Sequence, residues 1–156
     1  MYKKLLIIIS LLCTPVLCVA GPSINQLNSC LALVDFVDIK LSEFSDHYSQ
    51  EDMATVHKGL SMYSQFLQNE VITPKLVSMY GGNETQAKVM QKLFDRQRKT
   101  FLLHLNERYT EQKLLTEYAA SINQCKSNTR IRPDAAKALN NAMNTIIKMV
   151  KARNFN

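Results

Sequence analysis

Tryptophan is absent from this chain, and glycine and proline occur only four times each in 156 residues. So few turn formers leave little with which to build a many-stranded sheet. A composition rich in Leu, Ala, Lys, Gln and Met favours helix instead. The motifs that announce catalysis are missing as well: no Gly-x-Ser-x-Gly, no phosphate-binding loop and no dinucleotide glycine pattern occur. Nor is there a His-x-x-x-His, a Glu-x-x-His of di-iron bundles, or a Cys-x-x-Cys-His for haem. The sequence therefore predicts an all-α protein that is not an enzyme and needs no cofactor.

The N-terminus carries the pattern of an export signal. Lys3 and Lys4 give a basic start, Leu5 to Cys18 are almost wholly apolar, and Cys18-Val19-Ala20 offers small residues for a signal peptidase. Residues 1–20 are expected to be a signal peptide, and residues 21–156 a single helical-bundle domain. An uncleaved anchor is the competing reading. It is disfavoured because the apolar stretch is shorter than the roughly 20 residues of a bilayer span and Gly21-Pro22 ends any helix through it. Cleavage leaves Cys30 and Cys125, and in an oxidising compartment these two are expected to form a disulfide. Active dithiols sit close together in sequence, so this distant pair reads as a structural staple.

Helix boundaries follow from periodicity and caps. Leu27, Cys30, Val34, Val37, Leu41, Phe44 and Tyr48 alternate steps of three and four, the seam of a first helix. Ser49 with Asp52 caps a second, whose seam is Met53, Val56, Leu60, Tyr63 and Leu67. Thr73-Pro74 marks either a kink or a short extra turn of helix, and Gly81-Gly82 stops it. Asn83 then caps a third long helix with the stripe Ala87, Met90, Phe94, Phe101, Leu105 and Tyr109. Continued to Cys125, that helix would reach about 60 Å, well beyond its partners. A break is expected at Asn106–Thr110, with Thr110 capping a shorter fourth helix.

The same conclusion follows from parity. Helices one, two and three run up, down and up, so Cys125 must come down again to lie within about 7 Å of Cys30. Arg132-Pro133-Asp134 opens a final helix with Leu139, Ala142, Met143, Ile146 and Val150 on its buried side. The expected architecture is an up-and-down bundle of four long helices plus a short one, stapled by one disulfide.

Charge is unevenly spread. Without Lys3 and Lys4 the chain holds 17 basic and 13 acidic residues, and residues 126–156 alone carry seven basic residues against Asp134. Lys137, Asn141, Asn144, Lys148 and Lys151 recur on one stripe of the last helix, with Arg130 and Arg132 just before it and Arg153 after its last apolar turn. Such a strip suits an acidic protein or anionic lipid head groups. It equally suits a plain solvated face whose last cations serve the helix dipole. Nucleic acid is excluded by export and by the lack of interleaved aromatics.

A second candidate surface is the turn Val77–Asn83. There Met79, Tyr80 and Asn83 either stand out as protein contacts or fold back as a lid on the bundle end. A patch of Arg96, Arg98 and Lys99 is read as a wet face or a further contact. His47, His57 and His104 gather toward one end of the threaded bundle, the only candidates for a metal site, although no two show a ligand spacing. Leu33, Phe36, Phe66 and Ile147 fall off every seam and imply either a wider core or a homodimer face.

The functional expectation is an exported, periplasmic or secreted, module that binds another protein, such as an inhibitor, immunity protein, chaperone or secretion-system accessory. The alternative is a small-ligand or metal carrier using the histidine-bearing end.

Overall fold

A computed structural model describes residues 21–109, 115–127 and 129–153. The expected signal peptide and the Thr110 cap lie outside these residues. No strand occurs among those described. The helices are α1 (Ile24–Glu43), α2 (Gln50–Phe66), α3 (Thr73–Met79), α4 (Glu84–Arg108), α5 (Leu115–Ser127) and α6 (Pro133–Arg153). Among the described residues none is long and apolar enough to cross a membrane.

Cross-helix contacts set the directions. The side-chain amide of Asn28 donates to the Phe94 carbonyl at 2.9 Å and Arg98 meets Asp35 at 3.6 Å, so α1 and α4 run parallel. Asp38 meets His57 near one end of α1 and Lys75 reaches the Pro22 carbonyl near the other, so α2 and α3 run back down. The Cys30–Cys125 disulfide is formed with a Cα–Cα distance of 5.9 Å, and Phe36 packs edge-on against Tyr118 at 4.9 Å. Both contacts bring α5 down alongside α1. Lys148 on Asp52 and Arg132 on Glu70 set α6 antiparallel to α2. The up-and-down route with a short α5 is the one that the parity argument required.

The caps explain the boundaries. Ser23, not anticipated, opens α1 in a reciprocal capping box with Gln26. Ser49 accepts from the Asp52 amide at 3.1 Å, and Asn83 accepts from the Gln86 amide at 3.1 Å. Of the two readings of Thr73-Pro74, the short extra piece of helix is the one found, with Pro74 in the first turn of α3. Its ring would clash with the carbonyl four residues earlier, and the backbone widens into a π-type segment over Leu67–Ile72 before α3 continues. The Thr73 amide and hydroxyl both donate to the Gln68 carbonyl, holding the widened turn.

Gly81 and Gly82 then adopt φ of 59° and 87°. The Gly82 amide bonds back to the Val77 carbonyl at 2.9 Å and the Gly81 amide to the Ser78 carbonyl at 3.1 Å, a Schellman stop that residues with a Cβ adopt only under strain.

The core is wider than the predicted seams. α1 packs against α2, α4 and α5, so Leu31, Ala32 and Phe36 are buried along with Leu27, Val34, Val37 and Leu41. Phe36 and Phe66 thus belong to the core, Leu33 packs half-buried against it, and Ile147 is exposed. Phe44 and Tyr48 fall beyond the end of α1 and are only half-buried. On α6 the inner face is Ala135, Leu139, Ala142, Met143, Ile146 and Met149, with Val150 displaced to the margin.

The α2–α6 pairing is the closest. Gly59 sits so near α6 that a Cβ added there would strike the Ala138 carbonyl and lie 2.5 Å from the Ala142 Cβ.

Candidate functional site

The basic strip expected on α6 is partly absorbed by the fold. The Lys148 amine binds both carboxylate oxygens of Asp52 at 3.0 and 3.2 Å. The Arg132 guanidinium reaches Glu70 at 3.1 Å and Asp134 at 3.4 Å. These pairs fasten the two ends of α6 onto α2 and its π-type extension. Arg130, Lys137 and Lys151 are exposed and make no ion pair with the described residues. Arg153 ends α6, and its side chain lies outside the described residues.

The Lys148 hydrogen bond holds the Asp52 carboxyl below the usual carboxylate range, with slight burial opposing and the Ser49 bond adding. Because the folded pKa lies below the unfolded one, the stabilisation is complete above the ordinary carboxylate range and is lost as pH falls through the folded value. Both groups are on the surface, which limits the effect to under about 1 kcal/mol. Carbon-detected NMR titration should show the Asp52 midpoint moving up in Lys148→Met. An unmoved midpoint would contradict the pairing.

The turn Val77–Asn83 divides by role. Asn83 is committed to capping α4, and Tyr80 packs half-buried against the core, the lid alternative. Met79 and Asn83 are both exposed, and Met79, at 64%, is the one of the two with no structural bond to make.

The three histidines do not form a ligand set. His57 Nδ1 lies 2.6 Å from Asp38, and His104 is 3.7 Å from Glu107 on its own helix. His47 borders an open pocket of about 390 Å³ whose wall includes the already paired Asp52 and Lys148. Among the described residues, no group of three His, Cys, Asp or Glu side chains is placed to hold a metal.

The feature that the sequence pattern did not reveal is the exposed outer face of α4. The 25 residues of α4 bury only Ala87 and Leu105, because α1 and α3 pack on one side and no described residue covers the other. Phe101, predicted inside, is exposed. On the opposite face Val89, Leu93 and Leu103 are 57%, 49% and 61% exposed. The expected basic patch is split between these two sides. Arg98 turns inward to Asp35 and Asp95, and burial raises the Asp35 carboxyl's pKa against the opposing pull of Arg98. Arg96 and Lys99 remain outside. Val89, Leu93 and Leu103 all fall off the helix's predicted stripe, which is the signal that a wheel of the off-stripe residues would have shown.

Larger grooves than a single side chain would leave also occur between helices. One of about 380 Å³ lies over Gly59 between α2 and α6, flanked by Lys58 and Lys137. Another, about 330 Å³, lies between α3 and α4 and is lined largely by apolar groups. The chain matches no protein-family model, no curated protein and no solved structure.

Proposed function

We propose that this protein is an exported, disulfide-stapled helical module that acts by binding another protein, in the periplasm or outside the cell. An inhibitor, immunity protein, chaperone or secretion-system accessory would all use such a module. The single observation that carries the reading is the face of α4 that no described residue covers, where the large apolar side chains of Val89, Leu93 and Leu103 are exposed together. Large apolar side chains grouped on one exposed helix face mark interaction surfaces, and the exposed Met79 adds an adaptable side chain at the neighbouring turn. The disulfide supports an oxidising compartment, as the apolar N-terminal segment does.

A photo-crosslinking residue at Leu103, compared with one at Lys151 on α6, tests the reading in the cells that make the protein. A discrete adduct is expected from position 103 and is expected to fall at least tenfold when Val89→Ser and Leu93→Ser are added. Because all these sites are exposed, thermal stability should be unchanged. Adducts that form equally at both positions, or that survive the serine substitutions, would defeat the proposal.

A further inference from the structure

The groove between α3 and α4 is bordered by a row of cations. Leu76 and Ala87, both buried, and the half-buried Val77 give it an apolar floor, Thr73, Lys88 and Gln91 stand at its side, and Glu84 is the one carboxylate on its lining, at the turn end away from the other cations. It exists because the Schellman stop turns the chain sharply between the two helices, and because Ala87 is too small to fill the corner. From Lys88 the helix continues with Lys92 and Arg96 at steps of four and Lys99 at a step of three, so the four cations share one face over about 16 Å. All are exposed. Lys92, Arg96 and Lys99 make no ion pair with the described residues, and Lys88 has only a long, solvent-exposed contact with Glu84 at 3.9 Å.

Resting on the protein-binding reading above, we infer that this groove and ridge receive one acidic segment of the partner. Its apolar anchor sits over Leu76, Val77 and Ala87, and its carboxylates lie along Lys88, Lys92, Arg96 and Lys99. Charge complementarity decides the occupant. A second copy paired antiparallel along α4 would bring Arg96 against its own symmetry mate with Lys92 and Lys99 on either side, like charges at the centre of the contact. A bilayer surface fits no better. Val89, Leu93 and Leu103 share their sector with Arg96, Thr100 and Glu107, whereas a helix lying in a membrane interface keeps its charges at the border of an unbroken apolar face.

Display of random 16-residue peptides on the oxidised chain, residues 21–156, tests this inference. The expected selection is enriched in Asp and Glu around at least one large apolar residue. Its binding should weaken at least tenfold in Lys88→Glu/Lys92→Glu and by a similar factor when salt is raised from 50 to 500 mM. Circular dichroism of that variant should match the parent, since both lysines are solvent-exposed.

Enrichment of neutral or basic peptides, or no enrichment at all, would overturn the inference. So would flotation with phosphatidylglycerol vesicles in place of peptide binding, or salt-dependent dimerisation by ultracentrifugation. Peptides that ignore the charge reversal but depend on Leu93 and Leu103 would also overturn it, yet would leave the protein-binding reading standing.

Discussion

Replacing Cys30 and Cys125 together with serine, or reducing the bond in native buffer, is expected to cost about 4–5 kcal/mol of unfolding free energy. The bond joins residues 95 apart, and in the chain-entropy model a loop of that length restricts the unfolded ensemble by this amount. A domain of this size holds a net stability of only about 5–15 kcal/mol, so the loss brings it close to unfolding at ambient temperature.

The loss should be uneven. α5 has 13 residues, too few to be stable alone, and its fully buried apolar contacts among the described side chains are Ala119 and Ile122. The disulfide is the covalent part of its attachment to α1, beside the Phe36–Tyr118 contact. Denaturant titration of oxidised and reduced protein gives the total effect. Hydrogen exchange should show α5 amides losing protection first while the α2–α6 pair retains it. A stability change below about 1 kcal/mol, or uniform loss of protection, would mean that packing and not the bond positions α5.

The second large effect is expected at Gly59. In an exposed helix interior Gly→Ala stabilises by about 1 kcal/mol, because alanine restricts the unfolded chain and favours helix. Here the sign reverses. The new methyl group would meet the Ala138 carbonyl and the Ala142 Cβ, and backbone cannot step aside as a flexible side chain can. Overpacking of this kind costs about 3 kcal/mol, or a fall in Tm of about 10 °C for a domain of this length. Adding Ala142→Gly should restore only part of the loss, because the Ala138 carbonyl remains in the way. Full rescue, or a Tm at or above that of the parent, would show that α6 can slide away and that the close approach is not required.

Much of the architecture was legible in the residues because each signal is local. A serine or asparagine side chain satisfies first-turn amides wherever it stands at a helix start, so Ser49 and Asn83 could be read without neighbours. Gly81 and Gly82 stop a helix by their own conformational freedom. The disulfide required one long-range step, but with Cys13 and Cys18 read as part of an export signal only Cys30 and Cys125 were left to pair, and the parity of up and down helices left α5 one direction.

The candidate surfaces were less legible. Lys148 and Arg132 looked like free cations until α6 was laid beside Asp52 and Glu70, and Phe36 looked stray until α5 covered it. Phe101 and the outer face of α4 were misjudged for the opposite reason: the stripe was read as if a helix packed along its whole length, and α1 and α3 cover only part of it.

By itself, then, the amino-acid order determined where helices start and stop, that they form a bundle, and which two cysteines join, since backbone capping, turn geometry and covalent pairing depend on residue type and spacing. Which cations are neutralised, which apolar side chains stay in water, how closely Gly59 approaches its neighbour and whether three histidines converge were decided only by tertiary structure. Those properties depend on what another helix brings within a few ångströms, and a one-helix periodicity records which way a face points without recording whether anything covers it.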